Sequence, residues 1–136
     1  MAHSVIQRSA IAARRHIRRV VTVVTAVAAT GLGWAAGRLA HADYVLQTPI
    51  GARQITLVLV IVATMISGLV GWTVSSLLER HASDAVRAWI TLAVMVLTLS
   101  ILPIFAVRAS TDTRLALTAL HCLAAVILTA GVPQPR

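Results

Sequence analysis

Four long runs of apolar residues, separated by short polar stretches, dominate the pattern of the chain. They cover approximately residues 20–40, 54–78, 88–107 and 115–132. A helix rises about 1.5 Å per residue, so roughly twenty residues cross the ~30 Å hydrocarbon core of a bilayer. The second run begins with β-branched residues, but its length favours a membrane helix over a buried strand. We therefore predict an all-α fold: an integral membrane protein with a four-helix transmembrane bundle.

Short polar segments connect these runs. They cover residues 41–53, which contain a proline and a glycine, residues 79–87 and residues 108–114. Because every connection is short, helices that follow one another along the chain should be antiparallel neighbours. Ser83 or Asp84 is expected to cap the third helix, since both side chains accept hydrogen bonds from the first amides of a helix.

Residues 1–19 carry five arginines and no acid, which favours a basic cytoplasmic arm beside anionic lipid headgroups. A cleaved secretory signal is the alternative, but the apolar run that follows exceeds the usual core of about 7–15 residues. Eight of the twelve arginines fall on the side of the arm if the helices alternate in direction. The positive-inside rule then predicts that both termini lie in the cytoplasm. The transmembrane domain would cover residues 20–132, followed by a short tail, residues 133–136.

The composition agrees with a membrane protein and disfavours other classes. Hydrophobic residues make up 58% of the chain and charged residues 12%, whereas soluble domains average roughly 25% charged. The net charge is +8, carried by arginines without any lysine. These charges lie between the apolar runs rather than on one face of a soluble domain, so nucleic acid is not an expected partner. The expected partners are the lipid bilayer and either further copies of the chain or another membrane protein.

His121 is the main candidate for chemistry, because it lies near the centre of the last apolar run. Polar groups inside a membrane are often functional, so His121 could contact a ligand or carry a proton. The alternative is a structural hydrogen bond to a neighbouring helix, with Ser100 of the third run as the favoured partner and Thr25 or Thr30 as others. A histidine with a satisfied hydrogen bond is far less costly in lipid than a buried charge, which favours the structural alternative.

Other chemical signals are weak. The apolar runs contain no Asp, Glu or Lys, although ion-coupled transporters generally place an acid within the membrane. The single cysteine, Cys122, cannot form an intramolecular disulfide. No CxxC, HExxH or clustered His/Cys pattern is present, so neither a metal nor a cofactor is expected. No catalytic residues are assigned, and the sequence favours a non-enzymatic protein.

Small residues at helical spacing predict close helix packing. Glycines allow two helix backbones to approach, and a proline within a membrane helix usually kinks it. The predicted packing positions are Gly33, Gly37, Gly68, Gly71 and Pro103. Tryptophan and tyrosine at the ends of the runs predict anchors at the membrane interfaces. These anchors are Trp34 and Tyr44 at the outer face and Trp72 and Trp89 at the inner face.

Several short motifs occur in a fixed order along the chain. They are GLVGW at 68–72, LER at 78–80, Trp89, SILP at 100–103, LTALH at 117–121 and the pair Ala124-Ala125. In this order and spacing they resemble a family of small four-span membrane proteins, found mainly in actinobacteria and described as a domain of unknown function. The resemblance covers residues 20–132. The chain departs from the family pattern by having Pro103-Ile104 instead of two prolines, and Leu120 where methionine is common.

The resemblance implies a plasma-membrane protein and shared features at Trp72, Trp89, Ser100, Pro103 and His121, but no activity. We therefore expect a multi-pass membrane protein that acts by interaction, as an accessory subunit or a homo-oligomer. The first alternative is a bundle, or an enzyme, that binds a small apolar ligand such as a lipid or quinone through His121. The second alternative is a subunit of a transporter or channel.

Overall fold

A computed structural model describes the backbone of residues 2–131 and the side chains of residues 13, 14 and 16–131. Within these residues the chain forms helices α1 Ala2–Leu39, α2 Leu57–His81, α3 Ala85–Ala106 and α4 Thr111–Gly131, with strands β1 Val45–Thr48 and β2 Gly51–Gln54 between α1 and α2. Each of these helices contains a stretch long and apolar enough to cross a membrane. The prediction of four such helices is confirmed. The predicted tail lies outside the described residues.

Helix α1 begins at Ala2, far before the predicted start near residue 20. The basic arm and the first apolar segment are therefore one continuous helix, of which His16–Leu39 is the part apolar enough to span a membrane. The sequence before residue 20 contains no glycine or proline. Alanine and arginine are strong helix formers, so nothing in the arm ends the helix.

Polar caps explain why the other helices begin where they do. The side chain of Thr56 accepts a hydrogen bond from the Leu59 amide and starts α2. Asp84 does the same for the Arg87 amide at the start of α3, which decides between the two predicted caps. Ser110 accepts from the Thr113 amide at 3.3 Å, so α4 begins before the apolar segment itself. A cap satisfies amides that have no partner within the helix.

A β-hairpin follows α1 where the sequence predicted only a loop, and it is the departure from an all-α fold. The strands are antiparallel, with Val45 opposite Gln54 and Thr48 opposite Gly51. Gly51 has a φ of 124°, which a side chain would strain. The Gln47 amide donates to the Arg108 carbonyl at 2.8 Å, which fastens the hairpin to the connection between α3 and α4. We call this end of the bundle the hairpin end, and the opposite end, where α4 finishes, the terminal end.

Helix α1 packs most extensively against α4 and α2, whereas α3 packs against α4 and only weakly against α2. Glycines lie at these contacts. A Cβ atom on Gly33 would lie 2.8 Å from Leu120, one on Gly68 2.9 Å from Val23, and one on Gly71 3.3 Å from Trp89. A Cβ atom on Gly37 would collide with the hydroxyl of Tyr44. Each of these glycines therefore permits a close approach to another part of the protein.

Most large apolar side chains point outward. The buried apolar cluster lies at the hairpin end and consists of Ala42, Tyr44, Ile104, Leu117 and Leu120. Many leucine, valine and isoleucine side chains of the helices are exposed, among them Leu99 at 61% and Val126 at 65%. Lipid tails are as apolar as these side chains, so the exposure is expected of helices that sit in a bilayer. The helix interfaces rely on small residues and close packing instead.

Candidate functional site

A polar cluster closes the hairpin end of the bundle. The Asp43 carboxylate accepts hydrogen bonds from the hydroxyls of Ser110, at 3.0 Å, and Thr113. The Thr113 hydroxyl oxygen also accepts from the backbone amide of Tyr44 at 3.0 Å. These donors stabilise the ionised carboxylate and hold the pKa of Asp43 below its ordinary value, chiefly through Thr113 and then Ser110. The cluster joins the segment after α1 to the first turn of α4.

Tyr44 is fully buried at this end, so it does not serve as the interface anchor that the sequence predicted. Its ring stacks on Trp34 at 5.6 Å between centroids, and its hydroxyl donates to the Trp34 carbonyl at 3.3 Å. Burial raises the pKa of the Tyr44 phenol. The Trp34 indole donates to the Ile55 carbonyl at 3.1 Å. Both rings therefore hold the hairpin against the helices through stacking and hydrogen bonds inside the protein.

The middle of the bundle contains one polar contact between helices that the structure describes with both side chains buried. The hydroxyls of Thr30 in α1 and Thr64 in α2 lie 3.2 Å apart. Each is also within hydrogen-bond distance of a carbonyl of its own helix, Ala26 for Thr30 and Val60 for Thr64. The sequence had considered Thr30 only as a partner for His121.

His121 and Ser100, the predicted polar pair, each bond within their own helix. Nδ1 of His121 lies 2.7 Å from the Leu117 carbonyl, and the Ser100 hydroxyl donates to the Leu97 carbonyl at 2.8 Å. The hydrogen bonds of the described residues do not include the expected contact between the two side chains. A carbonyl one turn back is always within reach on a helix, and it satisfies the polar group without a partner helix. A carbonyl oxygen only accepts, so the contact is a hydrogen bond in the tautomer that has its proton on Nδ1 of His121.

Pro103, the predicted kink position, lies within α3, and the helix continues past it to Ala106. Its carbonyl accepts a hydrogen bond from the amide of the capping residue Val107 at 3.1 Å.

Cys122, next to His121, is a free thiol at an exposed position.

A second polar cluster lies at the terminal end, where the sequence had placed no site. Arg19 donates to the Ser76 hydroxyl at 2.9 Å and pairs with Glu79 at 3.2 Å. The Arg19 guanidinium also lies 5.7 Å from the ring centroid of Trp72. The centroids of the His16 and Trp72 rings are 5.0 Å apart, in an edge-to-face arrangement. The sequence feature that could have indicated this cluster is the arginine-rich arm together with Glu79, because Glu79 is one of only four acids in the chain.

Both tryptophans predicted as inner anchors contact protein at this end. The ring of Trp72, which belongs to α2, lies against the Arg19 side chain of α1. The ring of Trp89, on α3, faces Gly71 of α2. The Trp89 indole nitrogen is buried and has no hydrogen-bond partner among the described residues. These rings therefore join helices, whatever contact they also make with lipid.

An open groove runs between α1 and α4 on the half of the bundle nearer the hairpin. Its volume is about 450 Å³. Small residues form most of its lining: Gly33, Ala36 and Gly37 from α1, Ala40 directly after it, and Ala116 and Ala119 from α4. Leu115, Leu120 and Leu123 add apolar walls, and Asp112 lies at its rim. His121 does not line this groove.

The described residues contain no group of three His, Cys, Asp or Glu side chains placed to hold a metal ion. Their polar clusters consist of hydroxyls, one carboxylate or one ion pair, each engaged in packing contacts. Such arrangements stabilise helix contacts.

Four apolar helices with outward-facing aliphatic side chains define a multi-pass, membrane-embedded helical protein. The model of a family of unknown function (DUF6069) matches residues 10–136, and the chain therefore belongs to that family. The comparisons with curated proteins and with solved structures found no match. The family assignment confirms the resemblance to a family without an assigned activity.

Proposed function

We propose that this protein is a non-enzymatic membrane protein that acts by lateral association, with the groove between α1 and α4 receiving a helix of a second copy or of another membrane protein. The observation that carries the proposal is the open floor of glycine and alanine residues in that groove. Helices associate in lipid mainly through close backbone packing, which small residues permit. Ala36, Ala40 and Ala119 are exposed on this floor.

The same glycines that pack the bundle internally border the groove externally. Gly33 and Gly37 already face Leu120 and Tyr44 on one side. The neighbouring alanines, Ala36 and Ala40, have no comparable cover and leave the helix backbone accessible from the lipid. An incoming helix would bury this floor without displacing any residue of the bundle.

We also propose that the protein lies in the plasma membrane with both termini in the cytoplasm. The distribution of arginines supports this orientation, because eight of the twelve would lie on the cytoplasmic side. The terminal end then faces the cytoplasm and the hairpin faces outward.

The small-ligand alternative has weaker support. The groove volume of about 450 Å³ lies within the range of ligand sites, roughly 300–1,000 Å³. Such sites usually have a few convergent polar groups, but the polar residue at this groove is Asp112 at the rim, and His121 is not among the lining residues. The transporter alternative has less support still, since the buried polar residues described, Thr30, Thr64, Ser75 and Thr113, form local contacts at separate levels.

Site-specific photocrosslinking tests the association. A photoreactive amino acid replaces Ala36 or Ala119 in the groove, or Ala35 as the matched control, which is exposed on the same helix but does not line the groove. We expect protein adducts from positions 36 and 119 and none from position 35. In the variant Ala36→Leu, the adduct from position 119 should fall about tenfold, as a loss of about 1.4 kcal/mol would produce.

Adducts of equal yield from all three positions, or lipid adducts alone, would contradict the association. Mass spectrometry of the adduct distinguishes a second copy of the chain from another membrane protein.

A further inference from the structure

A second open groove lies on the outer surface of α2 at the terminal end. Its volume is about 350 Å³, and one helix supplies all of its lining residues: Leu69, Trp72, Thr73, Ser76, Leu77 and Arg80. Their spacing of three and four residues places them on one helix face. We call it the α2 groove, and it shares no lining residue with the groove between α1 and α4.

The α2 groove changes from apolar to cationic along its length. Leu69 and Leu77 leave about half of their surface exposed, at 52% and 50%. Arg80 follows in the last turn of α2 and is also exposed. The hydroxyls of Thr73 and Ser76 donate to carbonyls of their own helix, so neither adds a free donor. Arg80 is therefore the polar contact that the groove offers.

The α2 groove has the length of one lipid leaflet. Leu69 is the middle residue of α2, Leu57–His81, and a spanning helix has its middle near the bilayer midplane. Arg80 is eleven residues further along the helix. At about 1.5 Å per residue the separation is about 16 Å, close to half of the ~30 Å hydrocarbon core. The leucines thus lie at the depth of acyl chains and Arg80 at the depth of headgroups.

The nearby acids are paired with other arginines and do not neutralise Arg80. Glu79 pairs with Arg19 at 3.2 Å, and Asp84 pairs with Arg87 at 3.4 Å. Arg80 forms no ion pair with the residues that the structure describes. Its charge is therefore available to an anion at the membrane surface.

We infer that the α2 groove binds an anionic glycerophospholipid, with an acyl chain along Leu69 and Leu77 and the phosphate at Arg80. Such a lipid carries its apolar chains and its charge in the same order as the groove. The planar guanidinium of arginine binds a phosphate group through two parallel hydrogen bonds.

A lipid fits the α2 groove better than a helix of another protein does. Helices that associate in lipid approach through small residues, whereas leucine, threonine and tryptophan side chains line this groove. A protein partner would also have to bring an acid to Arg80. An anionic lipid supplies both the apolar chain and the negative charge, and its binding leaves the groove between α1 and α4 open to a helix.

Quenching of Trp72 fluorescence by brominated lipids tests the site, because Trp72 lines the groove. The changes Trp34→Phe and Trp89→Phe leave Trp72 as the sole tryptophan of the chain. Nanodiscs of phosphatidylcholine contain the same fraction of brominated phosphatidylglycerol or of brominated phosphatidylcholine. We expect the phosphatidylglycerol to bind beside Trp72 about fivefold more strongly, as one arginine beside an anionic lipid would produce.

In Arg80→Gln this preference for phosphatidylglycerol should disappear. Arg87→Gln is the matched control, because it removes the same charge at the same end of the bundle but Arg87 does not line the α2 groove. The preference should persist in that variant. Equal losses in both variants would assign the preference to the overall charge of this end and overturn the site. Equal quenching by the two lipids, or no quenching by either, overturns it as well.

Native mass spectrometry gives the same comparison if the chain with a single tryptophan does not fold. The chain with its own three tryptophans is released from nanodiscs that contain equal amounts of the two lipids. Retained phosphatidylglycerol in the wild type and in Arg87→Gln, but not in Arg80→Gln, supports the site. The same lipids retained by all three proteins, or none by any of them, contradicts it.

Discussion

Many hydroxyl and imidazole side chains of the described helices bond to the backbone of their own helix about one turn back. The hydroxyls of Thr73 and Thr98 donate to Leu69 and Val94, and His121 follows the same rule with Leu117. Such bonds satisfy a polar group locally in lipid. A histidine at mid-membrane therefore needs no partner helix, and His121 contributes no interhelical contact through Nδ1.

Asp43 carries the pH dependence that we expect of this protein. Hydrogen bonds from Thr113 and Ser110 lower its pKa below the ordinary value of 3.8. A carboxylate with a lowered pKa in the folded state contributes stability above its unfolded pKa, and this contribution is lost as the pH falls through the folded pKa. The thermal midpoint in detergent should therefore drop below about pH 4 through loss of this contribution.

In Asp43→Asn this acid-dependent drop should shrink, and the midpoint near neutral pH should fall, because an amide is a weaker acceptor for two hydroxyls. Asp112→Asn is the control. Asp112 lies in the first turn of α4, next to Thr113, but takes no part in the hydrogen bonds to Asp43. An acid-dependent drop of the same size in wild type and Asp43→Asn would show that Asp43 does not produce it.

At the scale of helices, glycine contacts set how closely α1 approaches its neighbours. A Cβ atom on Gly68 would lie 2.9 Å from a methyl of Val23, a β-branched side chain that cannot turn away easily. Gly68→Ala should therefore force α1 and α2 apart and destabilise the bundle by about 1–3 kcal/mol, the usual cost of overpacking.

Gly31→Ala is the matched control for this change, because its Cβ atom would lie 3.7 Å from Leu57, an ordinary contact. Alanine is also the better helix former, so Gly31→Ala should be neutral or stabilising by up to about 1 kcal/mol. Unfolding in sodium dodecyl sulfate measures both variants. Equal free energies of unfolding for the two variants would mean that Val23 moves to accommodate the added methyl group at position 68 without loss of stability.

At the scale of the whole molecule, the bundle is asymmetric. Helix α1 packs closely against both α2 and α4 at glycines, while α3 is held mainly through α4 and at the terminal end through Trp89. The hairpin fastens the opposite end through Gln47 and Arg108. The open groove between α1 and α4 lies on the closely packed side.

The proposed orientation predicts which connections face the cytoplasm. Single cysteines at Ser83, between α2 and α3, and at Thr111, at the start of α4, occupy exposed positions at opposite ends of the bundle. In a Cys122→Ala background, a membrane-impermeant maleimide added to intact cells should label the cysteine at position 111 and leave that at position 83 unlabelled. Labelling at both positions after membrane disruption controls for reactivity. Labelling of position 83 alone in intact cells would reverse the orientation.

The sequence by itself determined the four apolar helices and the turns between them. Their length and lack of charge leave a bilayer as the one environment that suits them, and local caps such as Asp84 act within a single turn. The spacing of the glycines places them on one face of their helix, which is why the sequence predicted close packing there.

Tertiary structure decided which partner each polar or aromatic side chain found. Tyr44 became a buried stacking partner of Trp34 because the hairpin folds back over the end of α1. That hairpin has strands of four residues and a fully exposed second strand, so the sequence lacks the alternation of apolar and polar residues that predicts strands. The pairing of the strands and the contact with Arg108 appear only in the tertiary structure. Arg19 lies far from Ser76 and Glu79 in sequence, and these side chains meet only when the helices assemble. Helical periodicity says which face a residue occupies, but the neighbour on that face depends on how the helices pack.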